Sequence, residues 1–73
     1  MRSQAMQEVA RHLRSEILKS SFGEAIRLYQ ETNDNEGFLV ALFPSPPRKP
    51  IVSFVRFEPQ EMDEVICWAA KGL

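Results

Sequence analysis

A run of alternating side chains that passes straight into an amphipathic helix constrains this chain most. From Pro50 to Leu73 the sequence is PIVSFVRFE followed by PQEMDEVICWAAKGL. Successive strand side chains point to opposite faces. Ile51, Ser53, Val55 and Phe57 therefore share one face, and Val52, Phe54, Arg56 and Glu58 the other. β-Branched and aromatic residues suit such a surface, and Pro50 suits the first strand position, where a missing N–H costs least. Pro59 ends the strand and is preorganised for the first helical position. Glu61, Asp63 and Glu64 follow where the helix dipole favours acids, with Lys71 near the other end. Met62, Ile66, Ala69 and Leu73 recur at helical spacing, and Gly72 is a stop signal.

Seventy-three residues make one domain, 1–73. A core of this size leaves only about 3–5 kcal/mol of net stability. Nine basic and ten acidic residues give a net charge of −1, so no general field draws the chain to nucleic acid or anionic lipid. One cysteine, Cys67, excludes an internal disulfide framework and fits a reducing compartment. No apolar run approaches the ~18 residues of a membrane span, and no apolar stretch follows Arg2 to make a secretory signal. A cytoplasmic location is expected.

Residues 4–20 fit a helix with the stripe Met6, Val9, Ala10, Leu13 and Ile17, capped by Ser3. Glu8, His12 and Glu16 lie one turn apart on its polar side. Leu18 falls off the stripe, so it is exposed or the helix ends early; Ser20, Ser21 and Gly23 mark the stop. Ala25 to Glu31 alternates as a strand would, with Ile26 and Leu28 on one face. Thr32 to Gly37 is a polar turn, and Phe38 to Phe43 is a strand apolar on both faces. Pro44 to Pro50 is a stiff, proline-dense connection. The expected fold is α+β, in the order α-β-β-β-α: a three-stranded antiparallel sheet with the N- and C-terminal helices on one face. The helix-facing set is Ile26, Leu28, Phe38, Val40, Leu42, Ile51, Val55 and Phe57, although the second strand could turn its other face inward.

That arrangement leaves Arg27, Tyr29, Leu39, Ala41, Phe43, Val52, Phe54 and Arg56 on the opposite face. Contiguous apolar patches of this sort mark partner sites, and aromatics with arginine are enriched at hot spots. A helix crossing to that face, or a homodimer, would cover it instead. Arg48 and Lys49 form either a solvated loop tip or a rigid basic finger. The candidate partner-binding residues are thus Arg27, Tyr29, Phe43, Arg48, Lys49, Phe54 and Arg56. Trp68 is expected to close the edge of the core, with an interface anchor as the alternative. Cys67 has no identifiable base beside it. His12 is expected to be a solvated helix residue, since one His and one distant Cys do not make a metal site. There is no glycine-rich phosphate loop, nucleophile elbow or paired-carboxylate motif. No cofactor, metal or catalytic residue is expected, and the chain is not read as an enzyme.

The element order resembles the double-stranded-RNA-binding domain, which places lysines at the start of its second helix. Here that segment is Pro59-Gln60-Glu61-Met62-Asp63-Glu64, and its acids would repel RNA. Tyr29, Phe43 and Phe54 loosely resemble a base-stacking platform. This makes a single-stranded nucleic-acid module the alternative function. In length, arginine- and alanine-rich composition and element order the chain also resembles small phage-encoded proteins that bind host RNA polymerase, of the Xanthomonas phage inhibitor and antiterminator type. That resemblance implies a single-domain, non-catalytic regulator in the host cytoplasm that inhibits or modulates transcription by docking on the polymerase. It transfers no binding residue.

Overall fold

The computed structural model describes residues 3–43 and 45–72. Arg2, Pro44 and Leu73, on which some expectations above rested, lie outside the described residues. The element order is α1 (Gln4–Lys19), α2 (Phe22–Asn35), β1 (Phe38–Leu42), β2 (Ile51–Val55) and α3 (Pro59–Lys71).

Helix α1 forms as its periodicity predicts. The Ser3 hydroxyl accepts from the Met6 N–H at 3.0 Å, satisfying one of the orphan donors of the first turn. Met6, Val9, Ala10 and Leu13 are buried, and Ile17 packs at the edge of the core. Leu18 is 72% exposed, and the helix continues past it to Lys19. Glu8 pairs with Arg11 at 3.1 Å rather than with His12.

The chain then departs from expectation. Ala25 to Glu31 is not a strand; it lies inside α2, and among the described residues the sheet has two strands instead of three. Ser21 caps this helix, accepting from the Glu24 N–H at 3.3 Å. Ala25, Ile26, Tyr29 and Asn33 then fall on one helical face and turn inward. Ala25 and Asn33 are buried, while Ile26 and Tyr29 pack against the core. Leu28, expected to face the helices, points away and is exposed. The expected polar turn is therefore shorter. Thr32 to Asn35 belongs to the last turn of α2, and the N–H groups of Glu36 and Gly37 both donate to the Thr32 carbonyl. Gly37 has φ +86°, and a Cβ there would lie 2.7 Å from the Val55 carbonyl oxygen. Glycine is what lets the chain leave α2 and enter β1 so close to β2.

β1 and β2 pair antiparallel, with Phe38 opposite Val55, Leu39 opposite Phe54, Val40 opposite Ser53, Ala41 opposite Val52 and Leu42 opposite Ile51. This register settles which face is inward. Val40 is buried, and Phe38, Leu42 and Val55 pack against a core shared by all three helices. β2 ends at Val55, before the expected Glu58. Ile51, also expected inward, is exposed. α3 begins at Pro59 and buries Met62, Val65, Trp68 and Ala69, with Ile66 at the margin. The Glu61 carboxylate accepts from the Glu58 N–H at 2.9 Å. Trp68 closes the core, as its size predicts. The architecture is α+β: a helical layer on one face of a two-stranded sheet.

Candidate protein-docking surface

The outward side chains of the two strands alternate with those that build the core. On that face Leu39 is 64%, Val52 62% and Phe54 69% exposed. Phe43, just past β1, is 65% exposed. Leu39 and Phe54 are directly opposed, as are Ala41 and Val52, so the four form one block. Opposed Cβ atoms in antiparallel strands stand about 4.5–5.5 Å apart, so this block is continuous apolar surface. The helices that could cover it are all engaged on the other face.

The candidate residues do not all gather here. Phe43 and Phe54 do. Arg48 and Lys49 are exposed on the connection between the strands, where the Arg48 N–H donates to the Ser45 carbonyl at 3.2 Å. Arg27 and Tyr29 sit on α2, not in the sheet. Arg27 is exposed on that helix. Tyr29 is half-buried and stacks obliquely on Phe38, with ring centroids 5.5 Å apart; Phe38 in turn meets Phe57 at 5.9 Å. This aromatic row runs inward, away from Phe54. Burial, and next the nearby Glu16 carboxylate, push the Tyr29 phenol above its ordinary value of 10, because both disfavour the phenolate. Arg56 is drawn to the helical layer: its Nε donates to the Asn33 carbonyl at 2.9 Å, at the negative end of α2.

Asn33, on a segment whose sequence predicts a turn, is a structural clamp. Its Nδ2 donates to the Phe57 carbonyl at 3.0 Å, and its Oδ1 accepts from the Phe57 N–H at 2.8 Å. The side chain completes the backbone bonding of the segment between β2 and α3. Together with Arg56 it fixes how the outward strand is carried.

Clefts open beside the sheet and beneath the end of α2. One, of about 350 Å³, is lined by Glu8, Val9, His12 and Tyr29, by Phe38 to Ala41 of β1 and by Phe43 just past it. The other, of about 390 Å³, lies between the end of α2 and the start of α3, around Asn33, Arg56 and Asp63. Among the described residues no group of three His, Cys, Asp or Glu could hold a metal ion, and no helix is long and apolar enough to cross a membrane. Cys67 is an exposed free thiol. Compared with models of protein families, with curated proteins and with solved structures, the chain finds no match.

Proposed function

We propose that this chain is a small, non-catalytic protein-binding regulator that docks through the outward sheet face. The observation that carries the reading is the exposure of Leu39, Val52 and Phe54 on the outward face, with Phe43 just past it, each more than three-fifths exposed. Exposed apolar surface of this continuity has a standing cost in water that a partner relieves. Bacterial RNA polymerase, implied by the resemblance to phage regulators, is the partner to test first. The stacking alternative has weaker support, because Tyr29 and Arg27 lie on α2 rather than in the sheet, and Tyr29 packs on Phe38.

The test is capture of purified bacterial RNA polymerase by the immobilised chain, beside capture from a bacterial lysate. A Leu39→Ser, Phe54→Ser double variant is expected to stay folded and to lose capture at least about tenfold, the loss of two buried anchors. Undiminished capture by the folded variant would remove this face from consideration. Failure of the polymerase alone would remove that partner. Salt-sensitive binding of a labelled single-stranded oligonucleotide would favour the alternative.

A further inference from the structure

The cleft of about 350 Å³ is lined by consecutive residues of β1, namely Phe38, Leu39, Val40 and Ala41. Neighbouring strand residues point to opposite faces. A cavity that touches all of them runs along the edge of the strand, not over one face. That edge is the free one, since among the described residues β1 is paired only with β2. An unpaired edge presents alternating N–H and C=O groups as a template for another chain. Helix α1 overhangs this edge with Glu8, Val9 and His12, and Tyr29 closes it from α2.

From this juxtaposition we infer that the free edge of β1 takes an extended peptide segment of a partner protein as a third strand. The segment's inward side chains drop into the cleft between α1 and Tyr29. The inference rests on the protein-binding reading and specifies how the partner engages. Strand addition takes its affinity from main-chain bonds and its specificity from pockets for alternate side chains. Both elements are present side by side. The cleft also argues for the kind of occupant. Among the described residues no lysine or arginine lines it, its carboxylate Glu8 is already paired with Arg11 at 3.1 Å, and most of the lining is apolar: Val9, Tyr29 and the β1 side chains. Phosphate-bearing ligands therefore find no counter-charge in the lining, and an extended segment with apolar inward residues fits. A second copy of this chain fits less well. Its own inward β1 residue Val40 is already buried under its own helices and could not fill the cleft. Leu39 and Phe43 belong both to the cleft lining and to the outward face, so an added strand would extend the docking surface without interruption.

The probes are blocked heptapeptides Lys-Thr-Xaa-Thr-Xaa-Thr-Lys with Val, Leu, Ile or Phe at both Xaa positions, titrated into the isotope-labelled full chain. The readout is the amide spectrum. Saturable shifts are expected at Phe38–Leu42 and at Glu8, Val9 and His12. Methylating alternate peptide nitrogens on one edge should weaken binding about tenfold or more through lost strand bonds, while methylating those on the other edge leaves it intact. His12→Trp, at an exposed position, should fill the cleft and weaken binding about tenfold with the spectrum still folded. Three results overturn the inference: no saturable shifts, equal effects of both methylation sets, or shifts confined to Val52 and Phe54. Peptide-independent β1 shifts that grow with protein concentration overturn it too, in favour of a second copy. Phe54→Ser should lose protein capture yet keep the peptide. Capture that persists while every peptide fails therefore sinks strand addition alone.

Discussion

Asn33 is the buried polar side chain of the described core, and the order of the segment after β2 hangs on it. Both of its bonds go to one residue, Phe57, whose ring is itself buried. Truncation would orphan a backbone donor and a backbone acceptor where water has little access. Each such group costs about 1–3 kcal/mol. Against a net stability of about 3–5 kcal/mol for a domain of this size, Asn33→Ala should leave a large unfolded fraction at room temperature. Asn33→Asp should also be destabilised, because a carboxylate oxygen replaces the donor that faces the Phe57 carbonyl. Urea unfolding followed by Trp68 fluorescence measures both. A shift in either variant of less than roughly 0.5 kcal/mol, the range of ordinary surface changes, would mean that water or a rearranged loop replaces the clamp.

At the scale of elements, α1, α3 and the two strands were legible because their signals are local, whereas the hairpin expected across Thr32–Gly37 is absent, because that segment ends α2 and β1 pairs with β2 instead. Periodicity places Met6, Val9, Ala10 and Leu13 on one stripe, and Pro59 marks the start of α3. Strand alternation likewise put Val40 and Leu39 on opposite faces, and Val55 and Phe54 on opposite faces, but for β1 it left open which face turns inward. α2 was not legible in the same way. Over Ala25–Glu31 the apolar residues satisfy both a two-residue and a four-residue repeat, and seven positions do not separate them. The signal that could have decided is Ser21 followed at three residues by Glu24, a helix-start pattern. Arg27 and Tyr29 fall on α2 as a consequence, Arg56 lies just past the end of β2, and Phe43 and Phe54 fall where alternation puts them. Contacts between distant parts of the chain left no local trace at all. Arg14 is the plainest case: its Nη1 donates to the carbonyls of Ala69 and Ala70, each at 3.0 Å, across most of the chain. It caps the negative end of α3. Arg14→Met keeps the apolar stem and removes the bonds, so it should cost about 1 kcal/mol and speed amide exchange in the last turn of α3. Arg14→Lys should recover only part, since one ammonium lacks the guanidinium's fork. Exchange in the Met variant equal to that of the parent would exclude this capping role.

For the whole molecule, the decisive property is an asymmetry between two sets of apolar residues that alternate along the same strands. The principal-axis extents of 40 × 24 × 23 Å describe a body longer than it is thick, with one helical layer and a bare sheet face. If that face is wet in the free protein, its large side chains contribute little to folding, whatever their hydrophobicity. Leu39→Thr with Phe54→Thr should then change stability by no more than about 0.5 kcal/mol. Threonine keeps strand preference, so the fold should persist and solubility should rise. Leu13→Ala removes a side chain with no exposed surface and should cost about 2–5 kcal/mol. The comparison is made by urea unfolding of both variants at several protein concentrations. A cost for the strand variant that approaches that of Leu13→Ala, and that grows with concentration, would place the bare face against a second copy in solution. Equal costs at every concentration would mean that the chain itself covers it. The small, concentration-independent change expected here leaves the face free for a partner, which is what a docking surface requires of a protein too small to spare apolar area from its core.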